Sequence, residues 1–185
     1  MPRGNLTRRL SNRGVWQHFS ARANGRATRS RRLPARSIVT KVLQRYWRLS
    51  RGLTLGAQAA LIDSDNRILL IRHTYRPGWH FPGGGVERGE TIEEALTREL
   101  DEEACVALAE PAQLFAIYSN AAVFPNDHVA LFVARSWRQL REPKPNHEIA
   151  EQRLFAASEL PAELNPGTGR RIAEILGGHP RSPFW

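Results

Sequence analysis

The sequence predicts a mixed β-sheet covered by helices, an α+β or α/β domain behind a basic N-terminal extension. Three observations point there. Apolar runs of strand length lie on both sides of one strongly amphipathic stretch, Ile92 to Ala104. Charge is divided along the chain: the net charge over 185 residues is +9, yet residues 1–62 carry 14 basic and no acidic side chains, and all 18 acids follow, beginning at Asp63. Composition is otherwise ordinary, with 41% apolar and 24% charged residues, which excludes collagen-like, wholly disordered and disulfide-scaffold classes.

The elements follow in order. Residues 1–36 read as a disordered basic tail, because Arg, Ser, Asn, Gly and Pro dominate and apolar residues are too sparse to offset ordering entropy. Over residues 37–51, Ile38, Val39, Val42, Leu43, Tyr46 and Trp47 recur at helical spacing among Lys41, Arg45 and Arg48. That basic amphipathic helix packs on the domain or on a second subunit of a homodimer, or attaches to nucleic acid or an anionic surface. The globular domain is expected over residues 52–180. Leu55–Ile62 and Arg67–His73 read as strands joined by a hairpin turn at Asp63–Asn66, where Asp and Asn bond their own backbone and tolerate left-handed angles. Pro77–Gly89 reads as a loop. Thr91 and Glu94 form a capping box that starts a helix over Ile92–Ala104. Leu114–Ser119, His128–Ser136 and Glu151–Phe155 are further strands. Trp137–His147, with Pro143 and Pro145, reads as a loop, and Thr168–Leu176 as a closing helix stopped by Gly177-Gly178. No internal repeat is found.

The single cysteine, Cys105, allows no internal disulfide and fits a reducing compartment. No run approaches the about 18 apolar residues of a membrane helix, and the N-terminus lacks the apolar block of a secretory signal. A cytoplasmic location is expected; the Arg-rich, acid-free start also has the composition of an organelle transit peptide.

The helix over Ile92–Ala104 has two faces. Ile92, Ala95, Leu96 and Leu100 make the stripe that packs on the sheet. Arg98, Glu99, Glu102 and Glu103 make the other, with Glu99 at i,i+3 and i,i+4 from the two later acids. Such like-charge pairs cost an isolated helix about 0.2–0.5 kcal/mol each, and the C-terminal end of the helix dipole adds to the cost. A solvated acidic face is the ordinary explanation. Clustering beside Gly83–Gly85 points instead to a hard divalent cation, since Mg²⁺ takes carboxylate oxygens and glycine lets backbone approach closely.

The spacing Gly84, five residues, Glu90, seven residues, Arg98-Glu99-Leu100, one residue, Glu102-Glu103 resembles the Nudix box. The upstream Trp79-His80-Phe81-Pro82-Gly83-Gly84 is similar to Nudix sequences as well, and the layout is shared over about residues 52–178. The resemblance implies the Nudix fold and hydrolysis of a nucleoside diphosphate linked to another moiety, with Mg²⁺ or Mn²⁺ as cofactor and a nucleotide-type small molecule as substrate. Carried over residue by residue, it implies that Glu99, Glu102, Glu103 and the Gly84 carbonyl hold the metal, that Arg98 clamps Glu90, and that Glu99 polarises or deprotonates the attacking water. Downstream, Glu148 and Glu151 are candidates for a further metal ligand or the base. Arg72, His73 and Arg76 are candidates to meet phosphates, and Tyr118 and Phe124 to stack on a base. Two alternatives stand beside this reading: an enzyme acting on RNA 5′ ends, with the basic segment tracking phosphates, and a non-catalytic nucleotide-sensing module. One position departs from the family pattern. Cys105 stands where the family has Gly just after the helix, so a left-handed cap strained by about 1 kcal/mol is expected there.

Overall fold

The computed structural model describes residues 52–185; the tail expected over 1–36 and the helix expected over 37–51 lie outside the described residues. The order is β1 (Thr54–Ile62), β2 (Arg67–His73), β3 (Trp79–His80), β4 (Gly83–Gly85), α1 (Ile92–Ala104), β5 (Val106–Leu108), β6 (Gln113–Ser119), β7 (Asp127–Ala134), β8 (Trp137–Gln139), β9 (Ile149–Ala156) and α2 (Pro166–Leu176).

A strand that is apolar at consecutive positions must be covered on both faces, and β1 and β2 show this. Ala57, Ala59 and Leu61 of β1, with Leu69 and Ile71 of β2, pack against Ala95, Leu96, Leu100 and Ala104 of α1. The intervening Ala60 and Ile62, with Ile68 and Leu70, pack against Ile172 of α2. Each fully buried Leu or Ile side chain contributes about 1.5–3 kcal/mol relative to exposure, so the sheet sits between two helical layers. The path β3-β2-β1-β7-β6 carries β4 on β1 and β9 on β2. β1 and β7 run parallel, from Thr54↔Asp127 to Leu61↔Ala134, and the other pairings are antiparallel. The expected mixed sheet covered by helices is therefore present.

The first hairpin turn forms as its residues require. Asp63 Oδ1 accepts from the N–H groups of Asp65 and Arg67, and Asn66 takes φ +55. The capping box of α1 is likewise made: Thr91 Oγ1 accepts from Glu94 N–H, and Glu94 Oε2 accepts from Thr91 N–H.

Several expectations need correction. The loop expected over Pro77–Gly89 contains β3 and β4, and the loop expected over Trp137–His147 begins with β8, which pairs with β5 at Val106↔Gln139 through Leu108↔Trp137. These strands are two or three residues long, too short to show a period of two, and exist because a neighbour pairs with them. The last helix starts two residues before Thr168, with Pro166 at its first turn and Asn165 accepting from the N–H groups of Gly167 and Thr168. Proline lacks the donor a first-turn residue cannot use, which is why it fits there.

Cys105 closes α1 at φ +54, ψ +39, the left-handed cap expected from its position, with its N–H on the Asp101 carbonyl. Cβ crowding there costs about 1–2 kcal/mol, and glycine's freer unfolded chain offsets about 0.4–1 kcal/mol of what its substitution would recover. Cys105→Gly is therefore expected to raise stability by about 0.5 kcal/mol, read by urea denaturation, with the reaction rate unchanged. A clear drop would mean that sulfur packing outweighs the backbone strain.

Candidate active site

Four segments converge at one end of the sheet: β4, the polar side of α1, the end of β2 and the start of β9. Backbone contact makes β4 a glycine strand. Gly83 has φ +135, and a Cβ there would overlap the Ala57 carbonyl; a Cβ on Gly84 would overlap the Glu99 carboxylate. Gly83 thus permits a backbone approach that no other residue allows, and at Gly84 any side chain would push the Glu99 carboxylate out of its present place.

Arg98 ties the acidic side of α1 to the loop before it. Its Nε and Nη2 donate to the two oxygens of Glu90 at 2.8 and 3.1 Å, and Nη2 also reaches the Gly85 carbonyl at 3.1 Å. Its Nη1 donates to Glu99 Oε1 at 2.7 Å and to Glu102 Oε2 at 3.3 Å. The bidentate pair fixes orientation as well as charge, and the Arg98 hydrogen bond holds the Glu90 carboxyl below its ordinary pKa. Glu99 is raised, because burial outweighs the help it receives from Arg98.

Glu103 departs from the solvated acidic face suggested by helical spacing. It is 7% exposed, with Oε2 accepting from Gly83 N–H at 2.7 Å. Burial first, and the nearby Glu99 and Glu148 charges after it, push its pKa up to about 7. Glu102, one residue earlier, is mostly exposed. His73 from the end of β2 is buried beside Glu103, its Nδ1 3.8 Å from Glu103 Oε1 and its Nε2 against Arg76 Nη2. Burial, then the Arg76 and His80 charges, lower His73 to about 4, so the ring is neutral near pH 7. The start of β9 is drawn to the same place: Thr74 N–H donates to the Glu148 carbonyl and Thr74 Oγ1 to the His147 carbonyl. Glu148 thereby joins His73 and Glu103 in a group whose potential metal-binding atoms all lie within 4.8 Å of one another.

The glycine strand faces a cleft of about 630 Å³ whose walls include Arg76, His80, Asn120, Arg170 and Trp185. A neighbouring cavity of about 870 Å³ is lined by Arg72, His73, Tyr75 and Arg76. Arg76 is common to both.

Gly84, Glu90, Arg98, Glu99, Glu102, Glu103, His73, Arg76 and Glu148 are thus brought together, and Arg72 lies at the rim. Glu151 borders a small cavity with Glu102 and Glu103 but is paired elsewhere, and Tyr118 and Phe124 are not brought there. Tyr118 is fully buried, its hydroxyl donating to Glu174 Oε2 at 2.7 Å and its ring between Arg171 and Trp185, so it has no face free for stacking. Glu151 is engaged by Arg72 at 3.0 Å and Arg153 at 2.8 Å on the sheet. Phe124 is exposed in the β6–β7 connection, where its neighbour Val123 lines the cleft instead. Tyr75 was not singled out by sequence reasoning. Its hydroxyl reaches Glu148 Oε1 at 3.4 Å and its ring lies 5.1 Å from that of His73. Its only signal was an aromatic between His73 and Arg76. Trp185, on the cleft wall, gave no signal at all.

A family model described as NUDIX domain matches residues 52–175. The chain is 35% identical over 104 residues to an ADP-ribose pyrophosphatase of Methanocaldococcus jannaschii, a match covering 55% of this chain and 61% of that protein. It is 28% identical over 133 residues to an RNA pyrophosphohydrolase of Aeromonas hydrophila, covering 68% of this chain and 63% of that one. The chain thus spans somewhat under two thirds of these relatives. Among solved structures, a MutT NUDIX hydrolase from Burkholderia pseudomallei superposes with a TM-score of 0.57 at 31% identity, covering 66% of this chain and 97% of that one.

Proposed function

The chain belongs to the Nudix family, and from that premise we propose that it is a metal-dependent pyrophosphohydrolase cleaving a nucleoside diphosphate linked to a further moiety. One observation carries the reading: a single turn of α1 stacks Glu99, Glu102 and Glu103 beside Gly84, whose missing side chain is what leaves room for the Glu99 carboxylate. The donor set fits a hard divalent cation. It is made of carboxylates, one of them buried with its pKa raised, and Arg98 is the one cation paired with α1's acids at this place among the described residues.

Glu99, Glu102, Glu103 and the Gly84 carbonyl would hold Mg²⁺ or Mn²⁺. When bound, such an ion offsets the charge of the pyrophosphate and lowers the pKa of a coordinated water. Arg98 keeps the loop and the acids in one frame through Glu90 and the Gly85 carbonyl. Arg76, shared by both cavities, is placed to bind a phosphate oxygen. Glu99 has one oxygen tied to Arg98 and Glu103 has one tied to Gly83, whereas the only partner of the Glu148 carboxylate among the described residues is the Tyr75 hydroxyl. Glu148 is therefore the better candidate to take the proton of the attacking water, ahead of Glu99. The test is a panel that includes ADP-ribose and an RNA with a 5′ pyrophosphate bond, scored for release of phosphate or nucleoside monophosphate. Chelator-treated protein is expected to be inert and to recover with Mg²⁺ or Mn²⁺. Full turnover in chelator would refute the reading.

Likeness to an RNA pyrophosphohydrolase and the 14 basic residues before Asp63 favour a second reading, action on RNA 5′ ends. Removing residues 1–36 is expected to leave hydrolysis of free nucleotides intact, since the segment holds no acid to join a metal site. Weaker RNA binding with a shallower salt dependence after truncation would support the second reading. Loss of activity on free nucleotides would show that the segment belongs to the domain.

A further inference from the structure

Arginine has hydrogen-bond donors only. Because Arg76 Nη2 rests against His73 Nε2, that nitrogen must present its lone pair, and the single proton of the neutral ring must sit on Nδ1. This Nδ1 is buried and has no hydrogen-bond partner. It faces Glu103 Oε1 at 3.8 Å, the oxygen that Gly83 leaves free. Tyr75 packs tilted against the ring at 5.1 Å and His80 meets it edge-on at 5.7 Å, so the imidazole is flanked on two sides.

We propose that His73 is a positioning residue for Glu103, a neutral imidazole that donates its Nδ1–H to Glu103 Oε1 and is locked in that tautomer by Arg76. The inference rests on the reading of Glu103 as a cation ligand. The distance of 3.8 Å exceeds a hydrogen bond, so the two side chains must draw together for the donation to form. The same tautomer argument excludes His73 as a direct ligand: coordination through Nδ1 would move the proton to Nε2, where it would meet the Arg76 N–H. A carboxylate ligand with a fixed donor on its second oxygen keeps one orientation, and loss of such outer partners costs about 10–100-fold in metal affinity.

The experiment uses the full chain and Mn²⁺, with free Mn²⁺ counted by its EPR signal. His73→Asn keeps an N–H near the Nδ1 position, whereas His73→Gln moves its amide to where Nε2 stood. His73→Gln is expected to weaken Mn²⁺ binding about 10–100-fold and His73→Asn about tenfold less than that. The wild-type Mn²⁺ spectrum is expected to show no directly bound ¹⁴N. Equal losses in the two variants, no loss in either, or a coordinated-imidazole ¹⁴N coupling in the wild type would each overturn the proposal. Because affinity is read without turnover, the two readings fail separately. Wild-type protein that binds Mn²⁺ with this ordering yet hydrolyses nothing in the panel refutes the hydrolase alone. An active enzyme with equal variants refutes the role of His73 alone.

Discussion

Glu103→Gln is expected to lower turnover by about three orders of magnitude, the several kcal/mol that a metal's charge contributes to such a reaction, while making the metal-free protein more stable at alkaline pH. The side chains are isosteric, and Gln still offers an oxygen to Gly83 N–H, so the fold is kept. The stability change follows from burial. Glu103 titrates at about 7 in the folded chain against 4.5 in the open one. A raised folded pKa means that its contribution is fully present below 4.5 and is lost as pH rises through about 7. Above that pH the chelated wild type bears a penalty of up to about 3 kcal/mol, which Gln does not. His73 has the opposite sign. Its folded pKa of about 4 lies below 6.5, so its contribution is present above 6.5 and is lost as pH falls through 4. Between about 4.5 and 6.5 the two slopes oppose each other in the wild type. In Glu103→Gln that opposing slope is removed while the one from Glu99 remains, so across that window stability in chelator should rise with pH relative to the wild type. Urea denaturation in EDTA from pH 4 to 9, with initial rates in Mg²⁺, measures all of this. A variant with wild-type rate would show that the Glu103 carboxylate has no part in the reaction.

The spacing from Gly84 to Glu103 was legible because it rests on chemistry at fixed helical intervals: a capping residue, an Arg facing back to Glu90, and carboxylates one turn apart. Helix α1 has the bounds read from the sequence, and β2 does as well. Legibility stopped where the partner is distant in sequence. Glu103 looks solvated on a helical projection, yet β4 and His73 arrive over it from elsewhere in the chain. Glu148 and Glu151 looked equivalent. What separates them is the pairing of β2 with β9, which sets Glu151 opposite Arg72 and carries Glu148 past the strand end to the site. Tyr118 looked like a stacking residue because an aromatic at a strand end gives no sign of which face it lies on or of what covers it.

What covers Tyr118 leads to the other large expected effect: Arg171→Met should destabilise the protein by about 3–5 kcal/mol, the cost of leaving one member of a buried ion pair alone. Arg171 is fully buried, with Nη2 on Glu174 Oε1 at 2.7 Å, Nη1 on the Phe184 carbonyl at 2.6 Å, and its guanidinium 4.2 Å from the centre of the Tyr118 ring. Glu174 spends its remaining capacity on the Tyr118 hydroxyl and the Ser182 N–H. With Arg171 gone, Glu174 must be protonated or stay charged beside an apolar neighbour. Arg171→Met combined with Glu174→Leu removes both charges, but it leaves the Tyr118 hydroxyl and Ser182 N–H unmet at about 1–3 kcal/mol each, so the double variant should regain little of the loss. The network also shapes the site. Residues 183–185 are held along β6 by Ser119, which donates to the Pro183 carbonyl and accepts from Trp185 N–H, and Trp185 and Arg170 form one wall of the glycine-strand cleft. Loosening that segment while Glu99, Glu102 and Glu103 stay in place should raise KM more than it lowers kcat. Urea melts of the single and double variants, with KM measured below the melting range, test both parts. A single variant within about 0.5 kcal/mol of wild type would mean that the buried arginine is not paired in solution.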